Sequence, residues 1–358
     1  MGLEHLLSNS RNDQIESFEF RKPRIQVIGC GGAGCNNIHR LMELGIQDVS
    51  TIAVNTDKLH LDRVNAEKKL LLGGEVTRGF GTGGDPVIGE RIAQLHDKEL
   101  RNLINGADLT FITVGLGGGS GTGISPYVVR LARDSGSIVV ALATMPFKVE
   151  RGRQKVAIEG LEKLRQASNS LIILDNNRLV EMVPQLPVEQ AFAVMDQLIS
   201  EVIKNVTEMI SLPGLINLDF ADLKAIFQEG GTSTVLYGEN SIYDHHKVVT
   251  ETLNNPLLDI DCSTAKGALI HLSSGPKLRL GTANQVIEGL TRDLPEKTHV
   301  KFGIRFNPNH EGTIRVMCIM TGLEVPAHFR PREDFVKLER DQSSANFGQS
   351  SSETYLRR

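Results

Sequence analysis

The sequence has no tryptophan, four tyrosines and four cysteines among 358 residues. The cysteines are too few and too scattered to form the disulfide framework of a small secreted domain. No apolar run approaches the about eighteen residues of a membrane span, and the N-terminus does not resemble a signal peptide. A net charge of −4 without a long basic stripe argues against nucleic acid as a partner. We therefore expect a cytoplasmic protein that neither inserts into a membrane nor binds nucleic acid.

Glycine, in contrast, is abundant at 35 residues, and much of it lies in three loops, 29–34, 79–84 and 115–123. Each loop precedes a predicted helix. Glycine lets backbone N–H groups approach an anion closely, and a helix N-terminus adds unpaired N–H groups and partial positive charge. The third loop lacks the lysine of the usual P-loop, GxxxxGK[ST]. A tight turn is the alternative reading of one such loop. Three of them at strand ends would surround a chain of phosphates, which favours a nucleoside triphosphate.

The first glycine-rich loop, residues 29–34, also matches the dinucleotide fingerprint GxGxxG. Asn55-Thr56-Asp57 follows about twenty residues later, where a dehydrogenase places an acidic residue on the ribose. A nicotinamide dehydrogenase is therefore an alternative, although we find no convincing His–Asp or Tyr–Lys set for hydride transfer.

Cys30, Cys35 and His39 could be taken for metal ligands at the start of a helix. Two of the three lie in a glycine-rich turn that has a better use in binding phosphate. We therefore predict no metal site made of side chains.

Short apolar runs alternate with helical segments in the first half of the chain. This alternation predicts a Rossmann-like α/β domain over residues 23–188, in which helices cover both faces of a parallel sheet. The predicted strands are 24–29, 49–54, 69–72, 109–114, 138–144 and 171–174, and the predicted helices are 34–44, 86–105, 124–134 and 153–167.

A long amphipathic helix over residues 189–212 connects this domain to a smaller one, and we expect its apolar stripe to pack in the core. Residues 213–325 show strands and helices without strict alternation, which indicates an α+β domain. Its predicted helices are 221–228, 245–254 and 281–292, and its predicted strands are 267–273, 298–305 and 313–321. Residues 1–22 and 326–358 are polar, and we expect a flexible arm and a disordered tail there.

Asp219 and Asp222 lie three residues apart just after the long helix, so they can face one way on a helical turn. They would either cap a helix, as Asn217 could, or polarise a water that attacks a phosphate. A helix rises about 1.5 Å per residue, so the long helix separates these carboxylates from the phosphate loops of their own chain. A catalytic role therefore requires a second subunit.

Two of these motifs resemble motifs of the tubulin/FtsZ family. GGGSGTG at 117–123 is close to the family's phosphate loop, and NLDFADL at 217–223 is similar to the loop that completes its catalytic site. The resemblance covers roughly residues 24–325 and implies a GTPase that binds GTP or GDP, with Mg²⁺ held mainly by phosphate oxygens. It also implies a head-to-tail homopolymer, because a heterologous contact that does not close grows into a filament.

The resemblance implies roles for individual residues as well. Asn217, Asp219 and Asp222 would act on the nucleotide of the next subunit. The implied contacts of the three glycine-rich loops and of the second strand with the nucleotide are Gly31, Gly32, Ala33, Asn36, Asn55, Asp57, Gly81, Thr82, Gly83, Gly117, Gly118, Gly119, Ser120, Gly121, Thr122 and Gly123.

For the sugar, the resemblance implies contacts from Pro146, Glu150 and Arg153, with Glu150 on the ribose. An amide and a carboxylate also suit guanine, because the carboxylate accepts from N1–H and N2–H and the amide can donate to O6. The guanine contacts implied in this way are Asn176, Phe192 and Asp196.

The chain also departs from the family's pattern. Loop 81–86 reads GTGGDP, which places the acidic Asp85 close to the phosphates. Gln154 stands where the family has a second basic residue, and Asp175 replaces a proline. We expect these changes to affect nucleotide contacts and the turnover rate.

The resemblance implies action at the mid-cell division ring. The terminal Tyr355-Leu356-Arg357-Arg358 would then dock a membrane-anchor protein of the SepF or FtsA type, or it would be a terminus without a role. Two alternatives stay open: a non-division cytoskeletal GTPase similar to the CetZ proteins, and a nucleotide-binding regulator that does not polymerise.

Overall fold

The computed structural model describes residues 22–182, 184–212, 214–216, 218–254 and 260–330. Asn217 lies outside these ranges, as do nearly all of the predicted N-terminal arm and residues 331–358 of the predicted tail. Within the described chain, ten strands form one sheet in the order β3-β2-β1-β4-β5-β6-β7-β10-β8-β9. The strands are β1 (Ile25–Cys30), β2 (Val49–Asn55), β3 (Lys68–Leu71), β4 (Leu109–Gly115), β5 (Ile138–Met145), β6 (Ser170–Asp175), β7 (Thr232–Ser241), β8 (Gly267–Ser274), β9 (His299–Phe306) and β10 (Thr313–Leu323).

Helices pack on this sheet and connect its strands. In chain order they are α1 (Gly31–Glu43), α2 (Lys58–Arg63), α3 (Gly74–Thr77), α4 (Pro86–Leu95), α5 (Asp97–Ile104), α6 (Gly119–Asp134), α7 (Arg151–Ala167), α8 (Asn176–Met182), α9 (Val188–Ser211), α10 (Phe220–Gln228), α11 (His245–Leu253) and α12 (Leu280–Thr291). The predicted α/β class, with a large and mostly parallel sheet, is confirmed.

Strands β1 to β6 are all parallel to their neighbours. Strands β1, β5 and β6 are buried at every position, as expected for apolar strands covered by helices on both faces. The strand order reverses at β1, with β2 on one side and β4 on the other. In open α/β sheets, ligands bind outside the carboxyl ends of the strands at this switch point. The topology therefore places the candidate site at the ends of β1 and β4.

The second half of the chain continues the same sheet instead of building a separate one. Strand β7 pairs in parallel with β6 through Leu171↔Thr232 and Ile172↔Ser233, and antiparallel with β10. Strand β10 pairs antiparallel with β8, which is parallel to β9. The sequence did not predict β7, because its residues, TSTVLYGENS, contain a short apolar stretch followed by polar residues.

Helix α9 has 24 residues and is therefore about 36 Å long. Its residues Ile199 and Val206 are buried in a core cluster with Leu142 of β5. The same cluster contains Leu269 of β8 and Ile319 of β10. The predicted core role of the apolar stripe is confirmed, and the helix fixes the two halves of the sheet to each other.

The predicted helix over residues 86–105 is wrong as a single helix. Helix α4 ends at Leu95 and α5 begins at Asp97, with His96 between them. The His96 ring accepts a hydrogen bond from the N–H of Gly73 at 3.0 Å, and its other nitrogen contacts Glu99. These tertiary contacts hold His96 out of helical geometry, which the helical periodicity of the segment does not reveal.

The predicted start of the disordered tail at residue 326 is too early. Residues 326–330 are described, and Ala327–Phe329 forms a 3-10 turn. Phe329 is 3% exposed and packs in the core of the first domain with Leu161 and Leu164. One large aromatic ring thus anchors a segment whose composition is otherwise polar.

Helices α4 and α6 touch each other at glycines. A Cβ on Gly89 would lie 2.6 Å from the carbonyl oxygen of Gly119 and 3.3 Å from the Cα of Gly123. A Cβ on Gly123 would lie 2.2 Å from the carbonyl oxygen of Pro86. Because these neighbours are backbone atoms, they cannot move aside without shifting a helix.

We therefore expect Gly89→Ala to destabilise the nucleotide-free protein by about 1–3 kcal/mol, the usual cost of overpacking. The matched control is Gly281→Ala in α12, where a Cβ meets nothing within 4 Å. Since alanine favours a helix over glycine by about 1 kcal/mol, this variant should be as stable as the wild type or more so. The urea midpoints of the three proteins check the prediction, and equal midpoints for Gly89→Ala and wild type would contradict it.

Candidate active site

The glycine-rich turns after β1 and β4 touch each other. Gly31, the first residue of α1, has a φ of +71°, and a Cβ there would lie 2.6 Å from the backbone nitrogen of Gly121. Gly117 has a φ of +93°, and its N–H donates to Thr122 Oγ1 at 2.9 Å. Helices α1 and α6 therefore begin side by side, with the N–H groups of both first turns in one place. This arrangement is suited to binding an anion.

Side-chain hydroxyls join the remaining glycine-rich loop, 79–84, and Thr56 after β2 to this point. Ser120 Oγ lies 2.6 Å from Thr56 Oγ1 and 3.4 Å from Thr82 Oγ1. Gly81 and Gly83, on either side of Thr82, have φ values of +80° and +63°. The predicted convergence of the three loops is confirmed, whereas contact between Gly118, Gly119 or the other loop residues and phosphate stays a prediction. Thr56 is a member of this cluster that sequence reasoning did not select.

His60 links two sets of predicted nucleotide contacts. One is Asn36 in α1, and the other is Asn55 and Asp57 at the end of β2. Asn55 Oδ1 accepts from the N–H of Thr56 at 2.8 Å, and Asp57 caps α2 by accepting from the N–H of His60 at 3.0 Å. The His60 ring lies 3.0 Å from Asn36 Oδ1 and 3.4 Å from Asn55 Nδ2. Sequence reasoning missed His60, because a single histidine in a short helix has no characteristic pattern.

Gly32 and Ala33 are exposed on the first turn of α1, and neither has a long side chain to cover the backbone there. Asp85, which the sequence placed close to the phosphates, caps α4 by accepting from the N–H of Val87 at 2.8 Å. Its carboxylate thereby stabilises the start of a helix, which explains how an acidic residue is accommodated in this loop.

The predicted sugar-binding segment contacts the loop after β4. Glu150 accepts from the N–H of Phe147 at 3.1 Å and forms an ion pair with Arg153. Arg153 Nε donates to the carbonyl oxygen of Gly117 at 3.4 Å. Arg153 thus connects the predicted sugar-binding segment to the glycine-rich turn after β4.

Two further amides hold this segment in place. Gln154, at the position where a basic residue was expected, donates to the carbonyl oxygen of Pro146 at 2.6 Å. Asn177 of α8 accepts from the N–H of Lys148 at 2.8 Å, and its own amide also donates to Asp175 at 2.6 Å. Asp175 therefore orders the start of α8. Sequence reasoning missed Asn177, although it is adjacent to the selected Asn176.

Asn176 is 8% exposed, and its buried Oδ1 has no hydrogen-bond partner among the residues that the structure describes. A buried polar atom without a partner costs about 1–3 kcal/mol, and a ligand that donates a hydrogen bond to it would remove this cost. Guanine presents both N–H donors and the O6 acceptor, and an amide side chain can use either. The residue therefore fits a guanine base.

Phe192 and Asp196 lie one helical turn apart on α9. Phe192 is 42% exposed and packs edge-to-face against Phe147, with ring centroids 5.5 Å apart. Burial raises the pKa of Asp196 from 3.8 to about 6, and the charge of Arg40 opposes this shift. Partial burial of an aromatic ring and a carboxyl group beside the sugar segment suits a base that stacks on one and donates to the other.

The two carboxylates after α9 form the N-terminal cap of α10. Asp219 Oδ1 accepts from the N–H of Asp222 at 2.7 Å, and Asp222 Oδ2 accepts from the N–H of Asp219 at 3.5 Å. This reciprocal pair is a capping box. Asp222 Oδ1 also lies 2.6 Å from Lys301 Nζ. Capping and catalysis are compatible, because a capping carboxylate keeps lone pairs that face solvent.

The cysteines near the glycine-rich turns after β1 and β4 have a structural role. Cys35 Sγ lies 3.7 Å from the carbonyl oxygen of Gly29 and 3.6 Å from that of Val54, and burial raises the pKa of the thiol to about 12. His39 accepts from the N–H of Asn65 at 2.9 Å. Within the described residues, no group of three or more His, Cys, Asp or Glu side chains is placed to bind a metal ion. None of the described helices is long and apolar enough to cross a membrane.

Comparisons with known proteins agree with this geometry. Residues 24–184 match the model of the GTPase domain of the Tubulin/FtsZ family, and residues 231–324 match that of the C-terminal domain of the FtsZ family. The chain is 46% identical to Cell division protein FtsZ 2 of Methanocaldococcus jannaschii over 94% of this chain and 91% of that protein. It is 45% identical to Cell division protein FtsZ 1 of Pyrococcus horikoshii over 84% of this chain and 82% of the relative.

Solved structures show the same relationship. A structure described as an empty FtsZ dimer of M. jannaschii superimposes with a TM-score of 0.79 at 40% identity, covering 89% of this chain and 91% of the other. A protofilament of CetZ2 from Haloferax volcanii superimposes with a TM-score of 0.73 at 19% identity, covering 91% of this chain and all of the other. The second likeness shows the fold alone.

A nicotinamide dehydrogenase is therefore excluded by family, and the GxGxxG match belongs to a different nucleotide site. On two family models and on identities above 40% over most of its length, the chain belongs to the tubulin/FtsZ family, as a GTPase that binds guanine nucleotides.

Proposed function

We propose that this chain binds GTP at the carboxyl ends of β1, β2 and β4 and hydrolyses it when a second copy supplies Asp219 and Asp222. The observation that carries the proposal is the position of these carboxylates. They follow the C-terminus of α9, whereas Phe192 and Asp196 lie in its first half, about 28 Å and about 22 Å before its last residue. One chain therefore holds two half-sites that cannot meet each other. The nucleotide half-site consists of the glycine-rich loops with Phe192 and Asp196, and the catalytic half-site consists of Asp219 and Asp222.

The nucleotide half-site is supported by the close glycine contacts and by the orphaned amide oxygen. Phosphates would bind the N–H groups of the first turns of α1 and α6, and guanine would bind Asn176 and Asp196. The ribose would lie between them, against Glu150. Each group of the nucleotide thereby finds a complementary partner along one face of the first domain.

In the catalytic half-site, the carboxylates would accept hydrogen bonds from a water molecule and orient it toward the γ-phosphate. Asn217 lies outside the described residues, so its part in this step rests on the family resemblance. Mg²⁺ would be held mainly by phosphate oxygens and water, since the described residues contain no cluster of ligands for it. The ion would supply neutralisation of phosphate charge.

Head-to-tail contact between a nucleotide half-site and a catalytic half-site leaves one of each free at the ends of the assembly. Such a heterologous contact does not close, and it grows into a filament. The M. jannaschii structure described as an FtsZ dimer supports association between copies of the chain. Hydrolysis would then occur at subunit interfaces and follow assembly.

We infer a role in cell division, at the mid-cell ring, because the relatives with 46% and 45% identity are named cell division proteins. A membrane-anchor protein of the SepF or FtsA type would bind the tail that ends in Tyr355-Leu356-Arg357-Arg358, which lies outside the described residues. The CetZ-like cytoskeletal role is the weaker candidate, because the 19% identity of that match carries the fold alone.

The test of the shared site is Asp222→Ala. We expect GTP binding and GTP-dependent pelleting to be retained, with turnover per polymerised subunit lower by about a hundredfold, as for loss of a group that positions the attacking water. Wild-type turnover per subunit should be near zero in dilute solution and rise together with the pellet. GTP hydrolysis measured over a range of protein concentrations, with sedimentation alongside, reports both quantities.

The matched control is Asp244→Ala. Asp244 also caps a helix, accepting from the N–H of Lys247 at 3.1 Å, but it lies at the start of α11. Loss of a cap alone should leave turnover within about twofold of wild type. Normal turnover in Asp222→Ala, or a wild-type rate per subunit that is constant at all concentrations without a pellet, would show that the site is complete in one subunit.

The raised pKa of Asp196 gives a second test. The ionised carboxylate accepts from guanine, so the affinity for GDP should increase as pH rises through about 6, and be about tenfold weaker at pH 5 than at pH 7.5. In the nucleotide-free protein, the stability of the fold changes with pH in the opposite direction. A carboxyl with a raised pKa stabilises the fold below its usual pKa of 3.8, and this contribution is lost as pH rises through about 6.

Because the phosphates of GDP also titrate in this range, the comparison is with Asp196→Asn. The variant should bind GDP more weakly and with a flatter pH dependence, and the ratio of the two affinities isolates the carboxylate. Calorimetric titration at four pH values measures it. Parallel pH profiles for the two proteins would show that Asp196 does not contact the base.

A further inference from the structure

The clearest feature that the proposed function does not use is an ion pair between β9 and the catalytic carboxylates. Lys301 Nζ lies 2.6 Å from Asp222 Oδ1, and the Lys301 side chain is 44% exposed. The hydrogen bond to Asp222 and the charge of that residue raise the pKa of Lys301, and the charge of Asp219 adds to the effect. Both predicted catalytic carboxylates therefore act on this one ammonium group.

The backbone fixes Lys301 beside them. Ile216 forms an antiparallel bridge with Ile304, in which Ile304 N donates to Ile216 O at 3.1 Å and Ile216 N donates to Ile304 O at 3.2 Å. Asp219 lies three residues after Ile216, and Lys301 lies three residues before Ile304. Counted in opposite directions from an antiparallel pair, these positions lie near each other. The bridge thus brings Asp219 and the start of α10, which carries Asp222, near Lys301.

The catalytic carboxylate is held through both of its oxygens. Asp222 Oδ1 pairs with Lys301, and Asp222 Oδ2 accepts from the N–H of Asp219. A carboxylate held in this way has a fixed orientation, with its remaining lone pairs directed to solvent. Loss of the lysine would free one of the two points of attachment.

Charge supplies the second argument. In the proposed interface, two carboxylates approach a triphosphate of about four negative charges, which opposes both assembly and the attack of water. A cation that stays on the carboxylates reduces this repulsion. As a stabiliser of the fold, an exposed ion pair contributes little, so its value here would lie in the assembled state.

We propose that Lys301 is a positioning residue for GTP hydrolysis in the next subunit: it orients Asp222 and offsets the negative charge that Asp222 brings to the nucleotide. The proposal rests on the shared site proposed above. It does not require Lys301 to contact the nucleotide, and its effect is transmitted through Asp222.

The test compares Lys301→Met, which keeps most of the apolar stem, with Lys301→Arg, which keeps the charge. We expect Lys301→Met to lower turnover per polymerised subunit at saturating GTP by about ten- to a hundredfold, the range for a misplaced catalytic group. Lys301→Arg should recover most of the rate. GTP affinity of the dilute subunit should be unchanged in both, because the residue is remote from the nucleotide half-site of its own chain.

The matched control is Lys277→Met, which breaks another exposed ion pair of the same domain, with Glu311 at 2.5 Å. It should leave turnover within about twofold of wild type. Wild-type turnover in Lys301→Met would overturn the proposal, and so would failure of Lys301→Arg to exceed Lys301→Met. Loss of turnover that matches only a loss of pellet, with a normal rate per polymerised subunit, would likewise overturn it.

A double variant separates this proposal from the shared site. If Lys301 acts through Asp222, then adding Lys301→Met to Asp222→Ala should cause no further loss, because residues that act as a unit are not additive. A further multiplicative loss would show that Lys301 acts independently of Asp222 and would overturn the positioning role. Normal turnover in Asp222→Ala alone would instead refute the shared site.

Discussion

The contact between the first turns of α1 and α6 is the constraint on which the rest of the site depends. Gly31 and Gly121 approach so closely that a Cβ on Gly31 would lie 2.6 Å from the backbone nitrogen of Gly121. This approach is possible because β1 and β4 are neighbours with matched register, from Ile25↔Leu109 to Cys30↔Val114. Two helix N-termini then present their N–H groups at one point, and a polyphosphate is the ligand with enough charge to use both.

Helix α9 turns this local arrangement into a property of an assembly. Its buried stripe packs against strands of both halves of the sheet, so the distance between its ends is rigid. Phe192 and Asp196, which we propose bind the base, lie in its first half, and Asp219 follows its C-terminus. In the proposed shared site, this rigid spacer would prevent a monomer from completing its own site. If hydrolysis requires both half-sites, the length of α9 alone couples polymerisation to GTP turnover, without any conformational change.

The sequence predicted those parts of the structure that depend on local chemistry. Glycine-rich turns, apolar strands and the stripe of α9 all have a pattern that packing preserves, and the convergence of three loops followed from parallel strands. The misses depend on tertiary contacts. The break at His96 depends on a hydrogen bond from the N–H of Gly73. The anchoring of Phe329 depends on its packing in the core, and the register of β7 depends on two residue pairs with β6. In the site itself, Thr56, His60 and Lys301 were missed for the same reason, since each acquires its role from a residue distant in sequence.

In the proposed site, recognition of the base depends on polar groups that the fold buries at a cost in free energy. The buried Oδ1 of Asn176 has no partner among the described residues, and burial works against the charged form of Asp196. Guanine has donors at both N1 and N2, so one N–H can donate to the Asn176 oxygen and the other to the Asp196 carboxylate. Adenine presents an acceptor at N1, so it would face the carboxylate with like polarity and leave the cost in place. A site whose polar groups stay unpaired until the correct base binds discriminates strongly between bases. The wrong base leaves these groups unpaired, and their free-energy cost then remains.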